Sequence, residues 1–176
     1  SDVYKRQAVS CAKAMNLTHY DRICIPVPLY HCFGMVLGTL ACCAAGATMI
    51  YPSEGFEPDK TMHALKSESC TAVHGVPTMF SAMLASSEFN GKPIKSLRTG
   101  IMAGSQCPEV LMRRVLYDLG CSEMTIAYGM TETSPISFQS DVNDPVDVRV
   151  STVGRIQPHC EVKIVEDDGS TCAVGQ

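Results

Sequence analysis

Short apolar segments alternate with helix-length segments along this chain, and this alternation constrains the fold more than any other feature. The apolar segments end at prolines, glycines or polar residues, which is typical of β-strands. We expect strands over 22–28, 47–51, 70–75, 96–104 and 122–129. Between them we expect helices over 33–45, 58–69, 77–86 and 108–120. Repeated strand–helix–strand units predict an α/β fold with a mostly parallel sheet flanked by helices.

The character of the sequence changes after residue 135. Residues 136–154 are polar and irregular, and "EVKIVEDDGS" (161–170) alternates like an edge or antiparallel strand that ends in an Asp-Gly turn. We therefore expect 8–139 to be part of an α/β unit and 140–176 to begin a β-rich unit. Residues 1–7 fit no element and are interpreted as a non-native or unstructured lead. Because the chain stops just after a turn, we expect it to be a fragment of a longer protein.

Composition limits the classes of function. The formal net charge is -4, with 14 basic and 18 acidic residues, and no basic cluster exceeds Arg113–Arg114. Nucleic-acid binding is disfavoured, because it normally needs clustered lysine and arginine. No stretch reaches the ~18 uninterrupted apolar residues of a membrane span, so we expect no transmembrane segment.

The ten cysteines do not have the spacing of a metal site. No Cys-x-x-Cys pair exists, and no two histidines lie three to five residues apart, so zinc-site spacing is absent. Several cysteines, such as Cys24 and Cys42, lie inside apolar runs and are expected to pack as small hydrophobic residues. We expect reduced thiols in an intracellular protein, cytoplasmic or, in a eukaryote, mitochondrial.

Three polar or glycine-rich loops follow predicted strands. They are "PLYHCFG" (28–34) after the first strand, "AGSQCP" (103–108) after the fourth and "YGMTETSP" (128–135) after the fifth. In a parallel α/β sheet, ligands bind beyond the carboxyl ends of the strands. The shared position of these loops predicts a single binding site at that edge.

The third loop has the richest chemistry. Gly129 permits close backbone approach, and Thr131 and Thr133 can donate hydrogen bonds to phosphate oxygens. Glu132 is a hard oxygen ligand suited to Mg²⁺, and Tyr128 offers a face on which a purine can stack. The alternative is a strand-ending turn in which the threonines satisfy only local backbone groups.

The other two loops also have two interpretations. Small residues at Gly104 and Ser105 can let a flat ring lie against the backbone, or they can simply form a compact strand-to-helix turn. His31, beside Phe33, can orient a reacting group or only pack. The chain has no Gly-x-Gly-x-x-Gly, Walker A or Gly-x-Ser-x-Gly motif, which disfavours dinucleotide binding, P-loop hydrolysis and serine hydrolysis.

Together these loops resemble motifs of the adenylate-forming (AMP-binding) superfamily, which includes acyl-CoA synthetases. "YGMTETSP" is similar to the family's Tyr-Gly-x-Thr-Glu motif, and "VPLYHCFGM" is similar to its Pro-x-x-His-x-x-Gly segment. "AGSQCP" has the position of the family's adenine-facing loop, and "VGRIQPHCEVKIVEDDGS" resembles the stretch that follows. The resemblance covers nearly all of 8–176 and is greatest to acyl-CoA synthetases that act on medium-chain fatty acids.

The resemblance implies a role for each residue of the third loop. Tyr128 would stack on adenine, and Gly129 and Met130 would line the nucleotide and acyl site. Thr131 would contact the α-phosphate, and Glu132 would coordinate Mg²⁺. Thr131 and Glu132, together with the histidine of the first loop, are thus the expected catalytic residues.

The other loops would complete the site. Gly104, Ser105 and Gln106 would form the opposite wall and touch both adenine and the acyl chain. His31 and Phe33 would border the substrate carboxylate or the pantetheine tunnel. Gln106 departs from the small residue or proline expected at its position, which leaves the depth of the acyl pocket open.

The implied function is that of an ATP-dependent fatty-acid:CoA ligase, which forms acyl-AMP and then acyl-CoA from small-molecule substrates with Mg²⁺. The alternatives are an adenylating enzyme that loads a carrier-protein thiol and a non-catalytic α/β binding module. The sequence contains no Pro-Lys-Gly phosphate loop, nor the family's ribose-binding Asp and C-terminal catalytic Lys. We therefore expect the isolated 176 residues to lack adenylation activity.

Overall fold

The computed structural model describes residues 2–173 and 175, and its central element is a sheet of seven strands in the order β2-β1-β3-β4-β5-β6-β7. The strands are β1 (Arg22–Cys24), β2 (Thr48–Ile50), β3 (Ala72–Gly75), β4 (Thr99–Ala103), β5 (Glu123–Tyr128), β6 (Phe138–Gln139) and β7 (Arg155–Ile156). The first five strands pair in parallel, whereas β6 and β7 are antiparallel to their neighbours. The predicted mostly parallel sheet is confirmed.

Helices cover both faces of this sheet. They are α1 (Asp2–Ala14), α2 (Ala41–Ala45), α3 (Pro58–Ser67), α4 (Pro77–Ala85), α5 (Glu109–Tyr117) and α6 (Val146–Ser151). Phe33–Leu40, called the π segment below, is a π-helix that runs directly into α2. In the described part of the chain, every helix is too short or too polar to cross a bilayer.

Two apolar clusters, one on each face of the sheet, form the core. Helices α3, α4 and α5 supply the first cluster, in which Leu65, Phe80 and Met112 are fully buried. Helix α1 and the π segment pack in the second cluster, which contains Met15 and Val36. Because the helices bury apolar side chains against both faces of the sheet, its inner strands β3 and β4 are buried along their whole length.

Local signals place the helix ends close to the predicted positions. Pro58 and Pro77 each occupy the first helical position, where a missing N–H leaves no hydrogen bond unmade. Gly46 ends α2 in the left-handed conformation (φ +71°), as expected for a residue just past a helix. Each predicted strand and helix is present. The π segment and α2 together cover the predicted helix 33–45 in full, and the other elements are one to four residues shorter at one or both ends.

Three expectations for the ends of the chain were wrong or incomplete. Residues 2–7 are not an unstructured lead, because they form the first turns of α1. The segment expected to be irregular contains α6, and Arg149 on this helix donates hydrogen bonds to the backbone carbonyl of Met124 (2.7 Å). Residues 161–170 form no continuous strand, and only an isolated antiparallel bridge joins Val165 to Thr171.

The proposed division between 8–139 and 140–176 stays a prediction. Strand β7 lies beyond that boundary, yet it pairs with β6 in the same sheet. The two strands extend the parallel sheet beside β5. They therefore support the loop that joins β5 to β6, which carries the Thr-Glu motif.

Candidate functional site

The three loops that follow β1, β4 and β5 meet around one cavity of about 300 Å³ at the carboxyl edge of the sheet. His31 and Phe33 come from the first loop, and Gly104 comes from the second. The third loop contributes every residue from Tyr128 to Glu132. The parallel register of the strands brings these loops together, because the carboxyl ends of β1, β3, β4 and β5 lie side by side.

A second cavity, of about 490 Å³, lies on the other side of the end of β5. Its lining includes Ser105 and Gln106, together with Gly104 and Tyr128, which line both cavities. Of the expected wall Gly104–Gln106, only Gly104 therefore reaches the first cavity. Gln106 lies beside the second cavity, so its polar side chain does not limit the depth of the first.

The end of α6 forms a wall that sequence reasoning missed. Residues 150–153 line the second cavity opposite Tyr128. This wall was missed because α6 is short and follows a polar segment with no apolar periodicity. Its signal in the sequence is limited to Pro145 before the helix and two valines, Val146 and Val150, that pack against the core.

Two glycines are required by the geometry between the cavities. A Cβ atom at Gly129 would lie 1.9 Å from the carbonyl oxygen of Pro135, so no larger residue fits there without moving the loop. Gly104 has φ +92°, a left-handed conformation that residues with a side chain rarely adopt. Both loops can therefore come close to a ligand through their backbone.

The Thr-Glu motif forms a 3₁₀ turn over Thr131–Thr133 that is fixed from within. The Thr133 hydroxyl accepts a hydrogen bond from the Met130 N–H (3.0 Å) and lies within donating distance of the carbonyl oxygens of Met130 and Pro135 (3.0 and 3.2 Å). Since its single proton is committed to a backbone carbonyl, Thr133 is a structural residue rather than the phosphate donor considered above.

Glu132 is exposed at the rim of the first cavity and makes no hydrogen bond or ion pair with any described residue. Within the described residues, no group of three His, Cys, Asp or Glu side chains could hold a metal by itself. Magnesium is commonly held by one or two carboxylates plus substrate phosphates and water. A single free carboxylate beside Thr131 fits that mode of binding.

The first and third loops contact each other through Cys32, which was not among the expected site residues. Its Sγ lies 3.5 Å from Thr131 Oγ1 and 3.7 Å from His31 Nδ1. His31 Nδ1 accepts the Phe33 N–H (3.1 Å), so a neutral His31 ring carries its proton on Nε2. The sequence signal for Cys32 was its place beside His31, outside the apolar runs that hold Cys24 and Cys42.

An apolar floor lies beneath these polar groups. The buried side chains of the first cavity are Phe33, Leu37, Ala103, Ala127, Pro135 and Ile136. The Ile136 N–H donates to the Oε1 of Gln7 on α1 (3.2 Å), so α1 also supports this floor. The cavity therefore combines an apolar base with a polar rim that carries a hydroxyl, a carboxylate and an imidazole.

A groove of about 720 Å³, larger than either of these cavities, lies elsewhere, along β2 and α3. Most of its charged side chains are held in ion pairs, such as Arg22 with Glu68 (2.6 Å) and Lys60 with the neighbouring Glu57 (2.7 Å). None of the three motif loops reaches it. Its size alone is therefore a weaker indication of function than the free polar groups at the carboxyl edge.

Comparison with known proteins gives a family match over nearly the whole chain. A model of the family described as AMP-binding enzyme matches residues 3–176. The Bacillus subtilis (strain 168) protein YngI, an acyl-CoA synthetase by name, is 51% identical over 159 residues, which are 90% of this chain and 29% of that protein. Medium-chain acyl-CoA ligase ACSF2, mitochondrial, from Danio rerio is 44% identical over 145 residues, 82% of this chain and 24% of its own. The chain thus spans less than a third of the length of these curated relatives.

Solved structures have the same fold. The anthranilate CoA ligase AuaEII in complex with anthranoyl-AMP superposes with a TM-score of 0.85 over 99% of this chain and 33% of its own, at 22% identity. The O-succinylbenzoate CoA synthetase MenE from Bacillus subtilis, in complex with ATP and magnesium, gives a TM-score of 0.82 over 99% of this chain and 35% of its own, at 24% identity.

Proposed function

The chain belongs to the AMP-binding enzyme family, and from this premise we propose that the protein containing it is an ATP-dependent ligase that joins a medium-chain fatty acid to coenzyme A. The observation that carries this proposal is that three loops line one cavity with an apolar floor and a rim that bears a carboxylate, Glu132, unpaired among the described residues. A fatty acid and the phosphates of ATP need these two kinds of surface side by side. The names of YngI and ACSF2 agree with acyl-CoA formation.

The nucleotide would bind across the end of β5. Tyr128, which lines both cavities, is 55% exposed, and its ring offers a face for adenine. The backbone of Gly104, Ser105 and Gln106 would face it from β4. The left-handed Gly104 leaves no Cβ between the base and the chain.

The phosphates would lie at the rim of the first cavity. The Thr131 hydroxyl, whose only described contact is the weak one with Cys32, is free to donate to an α-phosphate oxygen. Glu132 would hold Mg²⁺, which supplies positive charge to the phosphates when bound. Such chemistry depends chiefly on positioning and charge stabilisation, which matches these residue types.

The fatty acid would occupy the apolar floor with its carboxylate toward His31. The Nε2–H of His31 has no partner among the described residues and can donate to a carboxylate oxygen. Carboxylate attack on the α-phosphate forms the acyl-adenylate and releases pyrophosphate. The thiol of coenzyme A then attacks the acyl carbonyl and AMP leaves, so that His31 and Phe33 border both reactions.

An intracellular site of action is part of this proposal. The ten cysteines are free thiols, and the zebrafish relative ACSF2 is named as mitochondrial. A cytoplasmic or mitochondrial protein keeps its thiols reduced. Immunolocalisation of the full-length protein in its host tests this point, and secretion into the medium would contradict it.

The test of the activity is ATP–pyrophosphate exchange by the full-length protein with saturated acids from C2 to C16, followed by thioester formation with coenzyme A. We expect exchange to be greatest with acids of about six to twelve carbons. Thioester formation on a carrier-protein phosphopantetheine but not on coenzyme A would favour the carrier-loading enzyme. No exchange with any acid in the presence of Mg²⁺ would favour the binding module.

A further inference from the structure

His74, on β3, is a fully buried histidine behind the apolar floor of the first cavity. Its ring stacks on Phe33, with ring centroids 5.6 Å apart and an interplanar angle of 29°. Its Nε2 lies 3.0 Å from the backbone carbonyl oxygen of Leu37. Phe33 and Leu37 are the two residues of the π segment that line the cavity, so His74 contacts both.

The protonation state of His74 follows from its surroundings. Burial lowers the pKa of its imidazole to about 4, and the ring is neutral at physiological pH. Because Nε2 faces a carbonyl oxygen, the proton lies on Nε2 and donates to Leu37. The other nitrogen, Nδ1, is buried and makes no hydrogen bond of good geometry with a described atom, although the Val73 backbone also acts to raise the pKa of the ring.

An imidazole is a costly way to fill this position. A buried polar atom without a partner destabilises a protein, and a leucine or phenylalanine would fill the space without that cost. The stabilisation that offsets this cost comes from the hydrogen bond between His74 Nε2–H and the Leu37 carbonyl. A π-helix is rare and is commonly found at functional sites, and His74 is the side chain that bonds to the Leu37 carbonyl within the π segment.

We propose that His74 is a positioning residue for the acyl group: by holding the Leu37 carbonyl and the Phe33 ring, it fixes the wall of the acyl cavity and sets which acids fit. This assignment rests on the proposed function, because it concerns the acid that the same cavity takes. His74 does not line the cavity itself. Its effect on the substrate therefore passes through Phe33 and Leu37.

Two substitutions in the full-length protein separate its contacts. His74→Phe keeps an aromatic ring against Phe33 but removes the donor to Leu37, and His74→Gln keeps an N–H donor near the position of Nε2 but loses the ring. In ATP–pyrophosphate exchange we expect His74→Phe to raise the KM for the acid about tenfold, and His74→Gln to raise it about threefold. The KM for ATP and kcat should stay within about twofold, and the preference among C4 to C14 acids should become broader.

The matched control is Thr125→Val. The Thr125 hydroxyl is buried on β5 and donates to the Gly100 carbonyl (2.8 Å), but Thr125 does not line the first cavity. Thr125→Val should lower Tm by about as much as the His74 substitutions do, without changing the KM for any acid. If His74→Phe does not fold, the chain-length profile of His74→Gln decides.

Two results overturn the assignment while leaving the proposed function intact. One is an unchanged acid KM and chain-length profile in both His74 variants, and the other is an equal rise in the KM values for acid and ATP. An inactive parent protein instead refutes the proposed function, and this assignment with it. The parent assay is therefore run first with the full panel of acids.

Discussion

The polar residues at the two edges of the parallel sheet differ in whether their charges are paired. At the amino edge, Arg98 forms ion pairs with Asp21 (2.9 Å) and Glu123 (2.6 Å) and donates to the backbone carbonyls of Met15 and Asn16. At the carboxyl edge, the Glu132 carboxylate has no partner among the described residues. One edge uses its charges to hold strands and loops together, and the other leaves its charge available.

This difference separates structural polar residues from candidate binding residues without reference to any motif. A charge in a dense network stabilises the fold, and removing one member leaves its partners unpaired. An exposed carboxylate that contacts no other residue contributes little to stability. Substitutions at the carboxyl edge should therefore change activity, and substitutions at the amino edge should change the free energy of unfolding.

The largest expected effect is on catalysis at the carboxyl edge. Glu132→Gln in the full-length protein removes the charge but keeps the shape, and we expect the rate of adenylate formation to fall about a thousandfold. Tm should stay within about one degree, because the Glu132 side chain has no hydrogen bond or ion pair with the residues that the structure describes. Single-turnover formation of acyl-AMP measures the rate.

Glu123→Gln is the matched control for that experiment. Glu123 has an equivalent carboxylate at the amino edge, paired with Arg98. It should lower Tm and leave adenylate formation nearly unchanged. Equal activity of Glu132→Gln and the parent at saturating Mg²⁺ would refute Glu132 as the metal ligand.

The next effect is on stability at the amino edge. Arg98→Leu removes two ion pairs and leaves the Asp21 carboxylate, which is only 5% exposed, without its cation. We expect the free energy of unfolding to fall by about 3 kcal/mol. This value is at the lower end of the range for removing one partner of a buried ion pair, because Arg98 is partly exposed. Urea denaturation measures this loss.

The control for Arg98 is Arg113→Leu, which breaks an exposed pair with Glu109 within α5. That change should give no measurable loss of stability. If both arginine variants denature at the same urea concentration, the amino-edge network is not a stabilising feature, and the contrast between the two edges fails.

A smaller effect is expected from the glycine between the cavities. Gly129→Ala forces the chain apart at Pro135, because the new Cβ would lie 1.9 Å from a carbonyl oxygen. Displacement of the loop that carries Thr131 and Glu132 should lower adenylation about tenfold. The control is Gly55→Ala, because an added Cβ at Gly55 would meet no described atom within 4 Å. This control should leave the rate unchanged. A rate for Gly129→Ala equal to that of the control would show that this loop tolerates the shift.

The parallel sheet could be predicted from sequence because its signals are local. Buried strands such as β4 are short apolar runs, and Pro58, Pro77 and Gly46 mark helix ends through their own backbone preferences. Helix α1 was missed because the stripe it buries consists mainly of small or polar residues, such as Ala8 and Gln7. Its helical state depends on packing against the π segment rather than on a strong apolar pattern.

The sequence predicted which loops form the candidate site but not the contacts within them. Because their motifs follow the ends of strands, His31, Gly104 and Thr131 were predicted to lie close together, and all three line the first cavity. What remained hidden depends on tertiary contacts: the internal hydrogen bonds of Thr133, and the contact of His74 with the π segment. No local pattern distinguishes a hydroxyl that faces a ligand from one that closes its own turn.

The smallest expected effect concerns the acid stability of the amino edge. Burial by itself would raise the pKa of the Asp21 carboxyl, but hydrogen bonds from Arg98, Thr71 and Thr18 outweigh it and hold that pKa below its usual value. A carboxyl with a lowered folded-state pKa stabilises the fold fully above its unfolded pKa of about 3.9. That stabilisation is lost as the pH falls from about 4 through the lower folded-state pKa.

Asp21→Asn should therefore reduce the dependence of stability on pH in this range. We expect the parent to lose about 1 kcal/mol more than the variant between pH 5 and pH 2, a modest value because solvent reaches the Arg98 side of the pair. Some dependence should persist, since a hydrogen bond from Arg155 also lowers the pKa of Asp144. Urea denaturation at each pH gives both slopes. Identical slopes would mean that Asp21 does not link protonation to folding, and that the network at this edge acts through its neutral hydrogen bonds instead.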